Sequence, residues 1–201
     1  NSGLDETETD IVVNNNHIKT VFADGDEDAG WPEYQGASGI MVQGNLDGVV
    51  LKSNLIEGIH SAGWSYGVEV TYTGNTGVTE VPKDVKIKNN TFREITADKY
   101  SGLGFTVEAD YETYSDRPVD PAEISLVNNT FENSIDGAII NKNRDEILNA
   151  TYNFWPKWNG SVEDDVNSLI SGDVSFIPHK GLEGEPIVVY SDSDGDGYTL
   201  N

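Results

Sequence analysis

The chain repeats one phrase of alternating apolar and polar positions. It is clearest at residues 84–95, DVKIKNNTFREI, where Val85 and Ile87 alternate with Lys86 and Lys88. That is the period of a strand with one face buried. Asn90 interrupts the strand, and Phe92 and Ile95 return to the inside. The phrase recurs as EISLVNNTFENS at 123–134, GVVLKSNLIEGI at 48–59, DIVVNNNHIKTV at 10–21 and, degenerately, LNATYNFW at 148–155. Aligned on the first inward residue (Ile11, Val49, Val85, Ile124, Leu148), the residue five places on is always asparagine: Asn16, Asn54, Asn90, Asn129, Asn153. Amphipathic chance does not hold one polar residue in phase through five copies. The pattern predicts an all-β solenoid.

A second strand type follows each phrase, announced by glycine: GIMV at 39–42, GVEV at 67–70, GFTV at 104–107 and GAII at 137–140. Each coil is therefore expected to carry two or three short parallel strands. Successive phrases start 38, 36, 39 and 24 residues apart, so the last step is the bare coil and the longer ones carry inserted loops. Parallel strands stack at ~4.8 Å, which places equivalent residues directly over one another. Val49, Val85 and Ile124 should stack inside, as should Ile56, Phe92 and Phe131. The asparagine itself is expected to take the left-handed bend, with its amide bonded to the next coil. An unpaired buried amide would cost ~1–3 kcal/mol, which makes the column viable only when every floor repeats it.

Beyond the last phrase, Ser161-Val162-Glu163-Asp164 resembles a capping box. Val162, Val166, Leu169 and Ile170 then fall on one helical face and Gly172 ends it. The expectation is a short C-terminal helix capping a solenoid of about four to five coils. VSFI at 174–177 suggests a further strand. The domain is drawn at 1–178, with 179–201 as a linker and the start of an acidic segment.

Charge narrows the class of function. The formal net charge is −23, with 35 acidic against 12 basic residues, which repels nucleic acid and anionic lipid. No apolar run approaches the ~18–20 residues of a membrane span, so neither nucleic acid nor membrane insertion is expected. Zero cysteines exclude disulfide scaffolding and thiol chemistry. No basic, apolar, small-residue leader opens at Asn1; any export signal is expected to have been removed or never to have been in this chain. Sequons at Asn89, Asn128, Asn149 and Asn159 fit an exported glycoprotein, although the third- and fourth-phrase doublets Asn89-Asn90 and Asn128-Asn129 are also explained by the turn.

The phased asparagines, the stacked apolar columns and the closing phrase Asn149-Ala150-Thr151-Tyr152-Asn153-Phe154-Trp155 together resemble the right-handed parallel β-helix repeat family, the pectin-lyase-like superfamily. The resemblance covers about residues 10–178. It implies a right-handed coil and an exported, cell-surface setting, but hosts lyases, hydrolases, epimerases and inert surface proteins alike. Where members of that superfamily place glycine after the closing tryptophan, this chain has Pro156. Lyases of the fold resemble one another in using carboxylate-bound calcium and an Arg or Lys base. The only arginines here are Arg93, Arg117 and Arg144, and Arg93 reads as an outward strand residue. The motifs of the related hydrolases do not occur, and His60 stands alone. The chain leans away from catalysis, with a polysaccharide lyase or glycosidase module as the rival reading.

Two other features carry chemistry. Asp192-x-Asp194-x-Asp196-Gly197 has the spacing that wraps calcium and resembles half of a thrombospondin type 3 or dockerin loop. Asp24, Asp26 and Asp28 share the spacing without the glycine, and a solvated acidic loop explains them better. The insertions also mix acids with aromatics: Trp31, Tyr34, Trp64, Tyr66, Tyr100, Tyr111 and Tyr114. Flat rings beside carboxylates suit a polysaccharide or surface glycan, while the competing reading has each ring pack its loop against the wall. Open coil ends further suggest end-to-end self-association into a layer, sheath or filament.

Overall fold

In the computed structural model, the strands that alternate in sequence are wound into three sheets, and every pairing within them is parallel. The structure describes residues 8–23, 36–72, 80–99, 102–107, 119–132, 137–141, 146–154, 170–176, 179–180, 186–187, 189–191 and 198–200. The first sheet holds β1 (Glu8–Thr9), β2 (Val12–Asn14), β5 (Leu46–Lys52), β8 (Lys83–Lys88), β11 (Ile124–Val127), β14 (Leu148–Asn149) and β16 (Val174–Ser175). The second holds β3 (His17–Ala23), β6 (Leu55–Ser61), β9 (Thr91–Ala97) and β12 (Thr130–Phe131), extended by a bridge from Thr130 to Phe154. The third holds β4 (Gly36–Gln43), β7 (Trp64–Thr71), β10 (Gly102–Val107), β13 (Gly137–Asn141) and β15 (Ile170–Ser171). The chain visits the sheets in the same cycle on each pass, which is a β-solenoid.

The registers place the expected columns. Val49 lies over Val85 and Val85 over Ile124; Ile56 lies over Phe92 and Phe92 over Phe131. The rings of Phe92 and Phe131 stack with centroids 4.9 Å apart. Val85, Ile87, Phe92, Ile95 and Phe105 are wholly buried. At ~25 cal/mol per Å² of apolar surface withdrawn from water, such columns supply the main driving force for winding the chain.

The corner between the first and second sheets is the amide column. Asn54 Oδ1 accepts from Asn16 N at 2.9 Å and Asn16 Nδ2 at 3.1 Å, and the same pair of bonds repeats from Asn54 to Asn90, Asn90 to Asn129 and Asn129 to Asn153. The second amide hydrogen of each inner rung reaches a carbonyl of the coil before: Val13, Leu51, Ile87 and Leu126 for Asn54, Asn90, Asn129 and Asn153. Every polar atom of the buried amides is thereby satisfied, as burial at 0–2 % exposure demands.

The left-handed bend sits one residue earlier than the sequence suggested. Asn15, Ser53, Asn89, Asn128 and Tyr152 have φ between 54° and 60°, and each precedes a column asparagine. The doublets divide the labour, the first residue turning the backbone and the second bonding the coils. Two further left-handed columns run along the sheets, inside strands except at Asp10, which separates β1 from β2. Thr20, Gly58 and Glu94 (φ 58°, 64°, 54°) occupy one register of the second sheet, and Asp10, Gly48 and Asp84 (φ 58°, 78°, 46°) one of the first.

Glycine opens the third sheet for a steric reason. A Cβ on Gly67 would lie 2.6 Å from Gly104 O and 2.7 Å from the Phe92 ring, and one on Gly104 would lie 2.5 Å from Phe131. The backbone here passes against the aromatic column with no room for a side chain. In the fourth coil the register assigns this place to Ala138 rather than Gly137, since Ile139 lies beside Phe105.

Of the expected capping helix, residues 161–169 lie outside the described set. Ile170, counted on its apolar face, is instead in β15 beside Ile139, where strand stacking continues an existing apolar column. The strand suggested at VSFI is present as Val174–Ser175, paired with β14. Beyond it, β17 (His179–Lys180) pairs antiparallel with β18 (Pro186–Ile187), and β19 (Val189–Ser191) with β20 (Tyr198–Leu200). Among the described residues the only helix is a 3-10 turn at Pro121–Glu123, capped by Asp120 Oδ1 accepting from Ala122 N at 2.8 Å.

Candidate functional site

The three corners of the coil differ in what they admit. The asparagine corner is two residues long in every pass from the first coil to the fourth, because the amide column fixes it. The other two corners, on either side of the third sheet, take all the length variation. Residues 24–35, 62–63, 98–101 and 132–136 join the second sheet to the third; residues 44–45, 72–82 and 108–120 return toward the first. Loop chemistry is thus delivered to the two margins of the third sheet.

The sequence-derived aromatics distribute accordingly. Trp31 and Tyr34, with Asp24, Asp26 and Asp28, belong to the connection from β3 to β4, outside the described residues. Tyr100, Tyr111 and Tyr114 also lie outside them, as do Asp192, Asp194, Asp196 and Asn159. Trp64 and Tyr66 are not on a loop but in β7. Trp64 is half-buried, its indole directly beneath Gly36, where a Cβ would collide with it. Its carbonyl accepts from Ser61 Oγ at 2.5 Å, and Ser65 Oγ donates to Ser61 Oγ at 3.1 Å. Tyr66 is only 7 % exposed. Both side chains are thus part of the wall and not of a projecting loop.

β7 is in fact buried on both faces. Glu69 turns outward yet is 8 % exposed, its Oε2 accepting from Ser38 Oγ of the coil before at 2.7 Å. The middle of the third sheet is therefore a closed wall. Among the described residues, no group of three His, Cys, Asp or Glu side chains converges to hold a metal. Of the sequons, Asn89 and Asn149 are exposed and Asn128 is half-buried. Asn149 Oδ1 accepts from both Thr151 N and Thr151 Oγ1, at 3.2 and 2.9 Å.

The open face is the outside of the second sheet, and two clusters stand on it. In one, Arg93 Nε donates to Glu57 Oε2 while His17 Nε2 lies 2.6 Å from Glu57 Oε1, and Arg93 also reaches Glu132 at 3.6 Å. The Arg93 guanidinium foremost, then His17, holds the Glu57 carboxyl below the usual carboxylate range. With both oxygens engaged, Glu57 is not a free base. Lys19, Glu57, Arg93 and Glu132 each stand three residues after a column asparagine, so their alternating charge was legible in the repeat phase.

The second cluster lies at the margin facing the third sheet. Phe22 is 63 % exposed and stacks on His60 of the next coil, centroids 5.4 Å apart and planes 22° from parallel. His60 Nδ1 is 3.0 Å from Thr96 Oγ1, and its Nε2 is 3.4 Å from Asp98 Oδ2. Phe22, His60 and Thr96 share one register and so line up along the solenoid axis, with the Asp98 carboxylate beside His60. They stand at the corner from which residues 24–35 and Tyr100 depart. Phe22 lies just past the repeated phrase, which ends at Val21; its phase, one place after inward Val21, marks it as outward.

No protein-family model matches the chain, and no curated protein or solved structure matches it.

Proposed function

We propose that the protein is an exported, cell-surface β-solenoid of the right-handed, pectin-lyase-like kind that binds carbohydrate without turning it over. The single observation that supports this reading is the Phe22–His60–Thr96–Asp98 row. An exposed aromatic face stacks on the C–H face of a sugar ring, and the flanking imidazole, hydroxyl and carboxylate exchange hydrogen bonds with its hydroxyls. The row runs along the solenoid axis, the direction in which an extended polysaccharide repeats. Trp31, Tyr34, Tyr100, Tyr111 and Tyr114 are proposed as further glycan contacts. Self-association through coil ends is the companion property, and calcium at Asp192, Asp194 and Asp196 serves the segment after the solenoid.

The test is retention on a panel of uronate and neutral polysaccharides, read together with unsaturated products and reducing ends. Phe22→Ala should abolish retention while leaving the melting temperature within a few degrees, because the ring is outside the core. Turnover of any polysaccharide, or retention unaffected by Phe22→Ala, would reject the reading in favour of a lyase or glycosidase module or of a different face.

A further inference from the structure

The outer face of the first sheet gathers positive charge on a strongly acidic molecule. Four of the nine lysines of a chain of net charge −23 lie in β5 and β8: Lys52, Lys83, Lys86 and Lys88. Two of them are paired. Lys83 Nζ donates to Glu80 Oε2 at 3.1 Å, and Lys86 Nζ lies 2.7 Å from Asp84 Oδ1. Glu80, Asp47 and Glu123 all act on the Lys83 ammonium and raise its pKa, so the acids of this face gather at the opening ends of the strands.

Lys52 and Lys88 stand at the closing ends, beside the asparagine corner. They alternate with the buried Leu51 and Ile87 and so point outward. Register sets them directly beside each other on adjacent coils, at the strand spacing of ~4.8 Å. Asn14 flanks Lys52 in this column and Val127 flanks Lys88, so neither neighbour is a carboxylate. Among the described residues, neither ammonium has a hydrogen-bond or ion-pair partner.

The second sheet shows how this protein neutralises stacked charges elsewhere. There Lys19, Glu57, Arg93 and Glu132 alternate in sign along one column, and Arg93 bridges the two glutamates. Like charges directly opposite one another on neighbouring strands are destabilising. Two ammoniums held in register, in a chain with 35 acidic residues and no acid set between them, therefore weaken the fold while presenting paired donors to the outside.

We propose that Lys52 and Lys88 form a binding site for a single oxyanion group, a sulfate, phosphate or carboxylate. Each ammonium donates to one oxygen of the group, which lies between the two coils and cancels their repulsion. Asn14, next to Lys52 in the column, and Ser53, next to it in the chain, are exposed and add neutral donors. With Asp47, Asp84 and Glu123 at the other end of the same strands, the patch fits one anionic group and not a long polyanion. The site is on a different sheet from Phe22 and His60, and neither reading depends on the other.

The test is a protein NMR titration at low ionic strength with sodium sulfate, inorganic phosphate, glucose 6-sulfate and methyl glucuronide. At least one of these should give saturable shifts centred on Lys52, Ser53 and Lys88, which sodium chloride at matched ionic strength does not. Comparing the inorganic ions with the two sugar acids separates a free ion from a group borne on a sugar. Lys52→Gln and Lys88→Gln should each weaken binding up to about fivefold, and the double variant about tenfold. Lys83→Gln removes the same charge from a lysine that is already paired, and should leave binding within about twofold. Without added oxyanion, Lys52→Gln should melt no lower than wild type, because it relieves the repulsion. Equal shifts with chloride, shifts centred elsewhere, or equal weakening by Lys83→Gln would overturn the inference. So would a fall of several degrees in the melting temperature of Lys52→Gln, which would mean that the pair serves the fold.

Discussion

Replacing Asn90 by alanine tests the amide column at its centre. The side chain is 1 % exposed and takes part in four hydrogen bonds: Oδ1 accepts from Asn54 N and Asn54 Nδ2, both at 2.9 Å, and Nδ2 donates to Leu51 O and Asn129 Oδ1, both at 3.0 Å. Their loss is unequal. Asn54 Nδ2 keeps its bond to Val13 O, and Asn129 Oδ1 keeps the one from Asn90 N. The backbone N–H of Asn54 is left with nothing, inside the protein. Stranding that group costs ~1–3 kcal/mol, and each remaining bond adds ~0.5–1.5 kcal/mol, so Asn90→Ala should destabilise by about 4 kcal/mol. The control is Asn16→Ala at the exposed end of the same column. It removes only the bonds from Asn16 Nδ2 to Asn54 Oδ1 and Asn14 O, and should cost less than about 1 kcal/mol. Urea unfolding followed by circular dichroism measures both, with an unchanged m-value showing that the denatured state is not the source. Equal costs at the two positions, or a cost at Asn90 under about 1 kcal/mol, would refute the argument that satisfied burial makes the column hold.

Three further outcomes follow from the same geometry. Thr20→Gly should raise stability by about 0.5–1 kcal/mol, because a β-branched residue at φ 58° is strained and glycine is not; thermal melting reads the gain. Gly67→Ala should lower it by about 3 kcal/mol, since the new methyl would press on Gly104 O and the Phe92 ring in a packed wall, and chemical denaturation would register the loss. The Glu57 carboxyl, depressed below its unfolded value by Arg93 and His17, contributes stability above the ordinary carboxylate pKa that is lost as pH falls through the folded value. Wild type should accordingly lose more stability than Glu57→Gln on the acid side of about pH 4.3, as followed by melting temperature against pH.

What could be read from the sequence, and what could not, divides along physical lines. The column asparagines were legible because a buried amide tolerates no drift in phase: every floor must present the same acceptor to the floor above. The inward stacks of Val49, Val85 and Ile124 were legible for the same reason in apolar form. The left-handed column of Thr20, Gly58 and Glu94 was not, because threonine and glutamate give no sign of positive φ when neighbouring coils impose it. Gly137 reads as the glycine that opens the second strand type in the fourth coil, but register gives the place of Gly67 and Gly104 to Ala138, a difference of one residue that only pairing reveals. Among the candidate contacts, Trp64 and Tyr66 read as loop aromatics, yet both lie in β7, where Gly36 of the coil before leaves room for the Trp64 indole. Phe22 and His60 meet only because two coils place residues 38 apart side by side.

The fixed corner has a consequence for how such a chain changes length. The bonds at Ser53-Asn54 and Asn89-Asn90 have matching backbone angles, φ 54° and 57° on the leading residue, and lie 36 residues apart. Splicing Ser53 directly to Asn90 would excise one whole turn and leave an identical joint, with the amide of Asn16 handed to Asn90 in place of Asn54. Duplication at the same two points would lengthen the molecule by one turn with equally little disturbance. Gain and loss of genetic material in units of a turn should thus be tolerated at this corner, whereas moving one of the two cuts by a single residue without the other would set a bending residue where a bonding one belongs.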